Sequence, residues 1–220
     1  MPALHLLGIL VGLTAEARLA APLGGVIEAG GGTARGAEAA VERLLASGVR
    51  TLISFGLAGG LDPVLRPGTV VIPEAVITSG MERIPTDFAL SSALGGPTAA
   101  AIMAGDGIVA TVREKRRLRA STEAAAIDLE SGAVARAAVR RGLPFAVLRV
   151  VCDPAERDLP PAAVAALDRN GGIRVLGVLR SLAREPRQIP ALLALASDAA
   201  LARRALIARV AAIGQISIST

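Results

Sequence analysis

The chain has 220 residues, no tryptophan and no tyrosine, and aromatic residues make up only 1% of it. This leaves almost no surface on which nucleic-acid bases could stack. Lysine is nearly absent too, since Lys115 is the single lysine and arginine supplies the rest of the positive charge. We interpret the net charge of +5 as a coding bias, because the arginines are scattered among carboxylates along helical stretches. We therefore expect no nucleic-acid partner.

Cysteine and histidine occur once each, as Cys152 and His5. A single cysteine excludes an internal disulfide and favours a reducing, cytoplasmic compartment. A Cys–His nucleophilic pair is disfavoured, because both residues lie in apolar, strand-like runs where packing explains them. We expect neither a metal ion nor an organic cofactor.

Long uncharged apolar runs are also missing, since none reaches the ~18 residues of a transmembrane helix. The apolar start, LHLLGILVGL, resembles a signal-peptide core, but no lysine or arginine precedes it. We favour a first strand of a buried sheet. The amphipathic stretch ALLALASDAALARRALIARVAAI predicts helices that cover the sheet, and peripheral contact with a membrane is the alternative.

Short apolar runs alternate with helical patterns up to residue 160, and only helical patterns follow. Continuous apolar runs are typical of strands covered on both faces. We therefore predict one α/β domain over residues 1–220, with three layers, a central, largely parallel mixed β-sheet and an all-helical C-terminal part. Strands are predicted at 4–12, 24–29, 49–55, 69–72, 74–79, 99–103, 124–129 and 144–152. Helices are predicted at 33–47, 112–120, 131–141, 161–168, 174–185 and 188–212, the last with breaks at Pro190 and around Ser197 and Asp198.

Acidic residues follow several of the predicted strands, at the end where open α/β sheets bind ligands. Glu16, Glu130 and Asp153 have such positions, and Asp106 and Asp128 lie close by in the sequence. Each acid alone could start a helix or face water, but their clustering favours a pocket. The glycine-rich GLAGG, residues 56–60, lacks the signature of a P-loop or of GxGxxG. Its glycines would admit a ligand close to the backbone or form only a tight turn.

Taken in order, VGLTAEA, SFGLAGGLDPVLRPGTVVIP, AGDGIV, AIDLESGAVARAA and PFAVLRVVCDPAE resemble the nucleoside phosphorylase and nucleosidase superfamily. The resemblance runs from residue 4 to about residue 158. Within it, GLTAEAR and REPRQIPALLALASDAALARRAL are similar to the hopanoid-associated phosphorylase group, which is implicated in releasing adenine from adenosylhopane. The resemblance thus implies an enzyme that cleaves the N-glycosidic bond of a purine nucleoside.

The resemblance also implies roles for the acidic residues. Asp153 would protonate the purine at N7, Glu130 would bind the ribose hydroxyls, and Glu16 would position or activate the attacking water. A proton donor near neutral pH needs a pKa raised by burial and neighbouring negative charge. We therefore expect other carboxylates near Asp153, and Arg149 paired with Glu130 or Asp128. Further substrate contacts are implied for Gly56, Leu57, Ala58 and Gly59 beside the ribosyl group, Leu129 against the sugar, Val109 against the base, and Asp128.

Two departures from the family pattern bear on the reaction. Phosphorylases place an arginine before the glycine loop and a serine or threonine within it, where this chain has Ser54 and Leu57. A phosphate dianion without a cationic partner is costly to desolvate, which favours water as the acceptor. Arg18 or Arg35 could supply the charge from elsewhere, so phosphorolysis stays open.

The second departure concerns the substrate. Ile108 replaces an aromatic of the methylthioadenosine enzymes, and the segment 80–98 is short. Both features suit a nucleoside with a long apolar 5′ substituent. The alternatives are a purine nucleoside phosphorylase, a methylthioadenosine/adenosylhomocysteine nucleosidase, and a non-catalytic nucleoside-binding or membrane-peripheral protein. We expect a homodimer.

Overall fold

The computed structural model describes residues 7–166, 180–181 and 184–216. In this part of the chain, one mixed sheet has the strand order β2-β1-β3-β8-β7-β5-β6, and β9 pairs with β3 and β4. The strands are β1 Leu7–Val11, β2 Val26–Ala29, β3 Thr51–Gly60, β4 Val70–Val71, β5 Ala75–Ile77, β6 Arg83–Pro85, β7 Ile102–Ala104, β8 Ala126–Asp128 and β9 Phe145–Asp153. The α-helices are α1 Thr14–Ala20, α2 Ala34–Ala46, α3 Phe88–Ala93, α4 Val112–Thr122, α5 Ser131–Arg141, α6 Pro161–Ala166 and α7 Ile189–Ile213, with 3₁₀ turns at Ala21–Leu23 and Pro186–Gln188.

Strand β3 organises the sheet. It runs parallel to β1 and β9, while its last two residues pair with β8 in the antiparallel direction. Gly59 is paired both with Ile127 of β8 and with Asp153 of β9, across a register shift between Ala58 and Gly59. The ends of β8 and β9 therefore meet at the end of β3, where their polar residues come together.

Helices cover both faces of the sheet, which confirms the three-layer α/β architecture. Successive strand residues point to opposite faces: Leu10, Leu52 and Val147 pack with α2 and α5, whereas their neighbours pack on the other face with α1 and α7. That second group comprises Ile9, Ile53 and Leu148 together with Ala20, Ala202, Leu206 and Val210.

Local signals account for several helix ends. The Thr33 hydroxyl accepts a hydrogen bond from Gly36 N (3.1 Å) at the start of α2, and Gly48, just beyond α2, has φ +83°. Gly142 ends α5 with φ +62°, a conformation that costs glycine little. A threonine at a helix start and a glycine just past a helix end are signals that the sequence itself carries.

Three expectations need correction. Helix α7 is continuous from Ile189 to Ile213, without the breaks expected at Pro190 and near Asp198. Pro190 lies in the first turn, where a missing N–H costs no helix bond, and the Asp198 carboxylate accepts from Arg157 instead of competing for the backbone. The GLAGG segment continues β3 rather than forming a turn. Segment 80–98 contains β6 and α3, which were not predicted.

The predicted helix at 174–185 and His5 lie largely or wholly outside the described residues. No helix in the described part of the chain has both the length and the hydropathy that crossing a membrane requires.

Candidate active site

A cavity of about 510 Å³ opens where the ends of β1, β3, β8 and β9 converge. All three predicted catalytic carboxylates, Glu16, Glu130 and Asp153, line it. Of the predicted substrate contacts, Leu57, Ala58, Gly59, Val109, Asp128 and Leu129 line it as well. Asp106, by contrast, is exposed and is not among the lining residues. The sequence positions beyond the strand ends therefore do form one site.

Arg149, on β9, organises the polar floor of this cavity. Its guanidinium is 1% exposed and lies 2.8 Å from Asp128 Oδ2 through Nε and 3.0 Å from Glu130 Oε2 through an η nitrogen. It also donates to Ser54 Oγ (2.7 Å) and to the carbonyl oxygens of Phe55 and Leu57 (3.3 Å each). The expected pairing with Glu130 and Asp128 is confirmed, and Arg149 is kept away from Asp153.

Asp128 has a structural role that its motif did not reveal. Its Oδ1 accepts hydrogen bonds from Glu130 N (3.1 Å), Ser131 N (2.9 Å) and Ser131 Oγ (2.6 Å), which fixes the start of α5. Its Oδ2 lies beside Arg149 Nε, although that pair is not aligned as a hydrogen bond. Asp128 thus anchors both the α5 terminus and the guanidinium.

Glu130 shares Arg149 with Asp128, so two buried carboxylates face one guanidinium. Burial, opposed by Arg149 and reinforced by the charges of Asp128 and Glu16, raises the pKa of Glu130 to about 7. A group with this pKa changes its charge in the physiological range and binds hydroxyl groups in either state.

Glu16 is held by two backbone donors from different elements. Its Oε2 accepts from Leu13 N (2.8 Å), at the start of α1, and its Oε1 accepts from Leu57 N (3.0 Å) of β3. The absence of a side chain at Gly12 leaves room for the carboxylates of Glu16 and Glu130 to lie side by side. A Cβ added at Gly12 would lie 2.9 Å from Glu130 Oε1 and 3.2 Å from Glu16 Oε2.

Gly56 does not line the cavity but lies directly behind it. It has φ +145°, and an added Cβ would lie 2.7 Å from both Glu16 Oε1 and an η nitrogen of Arg149. Both the backbone conformation and the space require glycine here.

The surroundings of Asp153 differ from the expectation. The predicted neighbours were carboxylates, yet Oδ2 of Asp153 lies 2.7 Å from the ammonium of Lys115, which is fully buried on α4. Burial raises the pKa of Asp153, while the hydrogen bond and the charge of Lys115 lower it. Lys115 was not among the predicted site residues, although it is the one lysine in an arginine-rich chain.

Much of the cavity is apolar, and this part was missed in the sequence. Residues that follow β9, in the loop before α6, in α6 and in the first half of α7, form much of this apolar lining together with Ile108. They are Leu159, Ala162, Ala163, Val164, Leu192, Leu195, Ala196 and Ala199. Helical periodicity predicted helices that cover the sheet, but not that part of their apolar surface lines the cavity. Cys152 also lines the cavity, where burial raises its pKa to about 12 and keeps the thiol protonated.

Comparison with known proteins gives this site a context. Residues 25–184 match the family model of the phosphorylase superfamily. The chain belongs to this superfamily. A 5′-methylthioadenosine/S-adenosylhomocysteine nucleosidase from a Marinomonas species is 27% identical over 135 residues, covering 50% of this chain and 58% of that protein. The chain therefore matches less than two thirds of that relative's length.

Solved structures show the same fold. A Helicobacter pylori 5′-methylthioadenosine/S-adenosylhomocysteine nucleosidase complex has a TM-score of 0.64 at 16% identity, over 94% of this chain and 97% of that one. The futalosine hydrolase of the same organism gives the same values. A Colwellia psychrerythraea nucleosidase in complex with adenine has a TM-score of 0.61 at 21% identity, over 80% and 95% of the two chains. At these identities the similarity concerns the fold.

Proposed function

We propose that this member of the phosphorylase superfamily is a nucleosidase that hydrolyses the N-glycosidic bond of a purine nucleoside and releases adenine. The observation that carries the proposal is the convergence of Glu16, Glu130 and Asp153 on one cavity. Relatives with the same fold are nucleosidases by name, including one in complex with adenine.

The reaction needs an acid at the base and negative charge at the sugar. As the bond from C1′ to the purine breaks, its electron pair goes to the base, and the Asp153 carboxyl gives its proton to N7. General acid catalysis of this kind contributes ~10²–10⁴-fold. The sugar develops oxocarbenium character, which an ionised Glu130 beside the ribose hydroxyls stabilises.

Water completes the reaction in this proposal. It attacks C1′ and gives a proton to Glu16, whose carboxylate is already fixed by Leu13 N and Leu57 N. The bond from C1′ to the purine breaks and a bond from C1′ to the water oxygen forms, so the products are adenine and the free ribose with its 5′ substituent.

The charges around the cavity support water rather than phosphate as the acceptor. Four carboxylates and one guanidinium line it, and that guanidinium, Arg149, is already paired with two of them. Arg18 and Arg35 are exposed and are not among the lining residues. A phosphate dianion would therefore meet no unpaired cation in the described wall of the cavity.

Reaction with and without inorganic phosphate tests the acceptor. We expect equal rates of adenine release and free ribose as the sugar product in both reactions. Formation of ribose 1-phosphate, or adenine release that depends on phosphate, would support the phosphorylase alternative instead.

We further propose that the substrate carries a long apolar 5′ substituent, as in adenosylhopane, the substrate suggested by the hopanoid-associated group. The apolar wall from Leu159, α6 and α7 supports this, because it gives the cavity a large apolar lining in addition to its carboxylates. The alternative, a methylthioadenosine or adenosylhomocysteine nucleosidase, is favoured by the names of the relatives. The methylthio group of the first substrate needs only a small apolar site, and the charged homocysteine group of the second needs polar partners.

A series of 5′-alkylthioadenosines of increasing chain length, run beside adenosylhopane, separates these substrates. Each buried methylene contributes about 0.8 kcal/mol, so kcat/KM should rise about fourfold per added carbon until the wall is filled. Leu192→Asp, which places a charge on the cavity wall, should abolish the dependence on chain length. Leu193→Asp is the matched control, because Leu193 is exposed and not a lining residue.

A maximum at the methyl compound would support the methylthioadenosine alternative. Binding of every nucleoside without any adenine release would support a non-catalytic binding protein. The homodimer and peripheral contact with a membrane stay predictions.

A further inference from the structure

Lys115 is the most completely buried charged group near the cavity that the reaction above does not use. Its side chain is fully buried on α4, although that helix is rich in charge. Arg116 and Arg117, the next two residues, are exposed. Burying an ammonium ion is costly unless it is paired and hydrogen-bonded. Unlike the exposed arginines of α4, Lys115 therefore needs specific partners that stabilise its charge.

The Lys115 ammonium has three oxygen partners, as many as it has protons. It lies 2.7 Å from Asp153 Oδ2, and it donates to the carbonyl oxygens of Pro154 (2.9 Å) and Arg157 (2.8 Å). An ammonium with three donors satisfies this arrangement, whereas the planar guanidinium used elsewhere in the chain has a different donor geometry. This donor geometry explains why position 115 has a lysine although every other residue with a permanent positive charge in the chain is an arginine.

We propose that Lys115 is a positioning residue for proton transfer by Asp153: it tethers one carboxyl oxygen, leaves the other for the purine, and neutralises the carboxylate that remains after transfer. The inference rests on the nucleosidase function proposed above and assigns a residue to that same step. Lys115 itself does not touch the substrate in this account.

The charges before and after proton transfer show why a fixed cation beside Asp153 favours the reaction. Before the reaction the proton is on Asp153 and the base is neutral. When the bond from C1′ breaks, its electron pair moves to the base, and the proton passes from Asp153 to N7. Asp153 is left negatively charged in a buried place, and the adjacent ammonium stabilises that charge without having to reorganise.

Other charged groups also face Asp153, so the effect of Lys115 has to be separated from theirs. Arg157, in the loop after β9, lowers the Asp153 pKa, and Asp198 of α7 raises it. These two are paired with each other at 2.7 Å, which largely cancels their fields. The Cys152 thiol, adjacent in sequence, is uncharged in the ordinary pH range because burial raises its pKa to about 12. Lys115 is therefore the dominant cation at this carboxyl.

Two substrates with different leaving groups give the sharpest test. An adenine nucleoside needs protonation of the base, whereas 4-nitrophenyl riboside releases a stable anion and needs no acid. Lys115→Met should lose about 10–100-fold in kcat on the adenine nucleoside, a part of what general acid catalysis supplies. On the nitrophenyl compound it should stay within about threefold of the wild type, since that step does not draw on the acid.

The pH profile provides a second readout. At high pH, kcat/KM should fall as Asp153 loses its proton. Because Lys115 lowers the pKa of Asp153, removal of Lys115 should shift this fall to higher pH. Lys115→Arg should keep this fall near its wild-type position. Arg116→Met is the matched control: it removes a cation from the same helix without a contact to Asp153, and should change neither readout. Lys115→Gln, which retains a donor for one carbonyl, replaces the methionine variant if that variant does not fold.

Equal losses on both substrates, or a fall in kcat/KM that does not shift, would overturn the proposal and leave Lys115 as an anchor of the loop after β9. A wild-type protein that releases no base from any riboside would contradict the nucleosidase function, and this role with it. Normal adenine release by the wild type and by Lys115→Met would overturn the role of Lys115 alone.

Discussion

Replacing Glu130 with glutamine should change how the stability of the protein depends on pH. The folded protein raises the pKa of Glu130 from 4.5 to about 7, so it binds this proton more tightly than the unfolded chain does. The resulting stabilisation is fully present below pH 4.5 and is lost as the pH rises through about 7. At 1.36 kcal/mol per pKa unit, the change is about 3 kcal/mol.

Glu130→Gln removes the titrating group itself and keeps the ion pair between Arg149 and Asp128. Urea unfolding at a series of pH values gives the free energy of unfolding for both proteins. As the pH is raised from below 4.5 to above 7, the free energy of unfolding of the variant should increase by about 3 kcal/mol relative to that of the wild type. Glu82→Gln, which removes an exposed carboxylate outside the cavity, controls for the loss of one charge. A difference between variant and wild type that does not vary with pH would refute the reasoning.

Three further substitutions test individual contacts. Asp153→Asn should lose ~10²–10⁴-fold in kcat for adenine release while binding of the nucleoside, measured by calorimetry, is largely retained; full activity would remove Asp153 as the acid. Arg149→Met leaves two buried carboxylates without a cation and should cost about 3–5 kcal/mol in denaturant unfolding, and an unchanged midpoint would contradict the role of the guanidinium. Gly56→Ala should cost about 1–3 kcal/mol because of its φ and the 2.7 Å contacts to Glu16 and Arg149. Gly107→Ala, with nothing within 4 Å of the added Cβ, should be neutral in the same assay.

Much of the polar site could be predicted because it depends on local order along the chain. Glu16, Glu130 and Asp153 each follow an apolar run, and strands covered on both faces place such ends at one edge of a sheet. The pairing of Arg149 was predictable once the family resemblance implied that Asp153 is a proton donor, because a guanidinium beside that acid would oppose the role.

The rest of the site depends on contacts between distant segments. The burial of Lys115 arises because α4 packs against the loop after β9, and nothing in the sequence of α4 specifies that partner. In α7 the Asp198 carboxylate is likewise paired with a residue distant in sequence, Arg157, and does not compete for the local backbone as aspartate does at a helix end. The apolar wall of the cavity follows from where α7 docks, which periodicity does not determine.

Hydrolysis of a 5′-alkylthioadenosine in H₂¹⁸O without phosphate tests the central claim most directly. Adenine is followed by chromatography and the sugar product by mass spectrometry, for the wild type and for Asp153→Asn. The account predicts one adenine and one ribosyl product carrying a single ¹⁸O per turnover with the wild type, and almost none with the variant. An intact nucleoside after incubation with the wild type, or equal turnover by the variant, would contradict it.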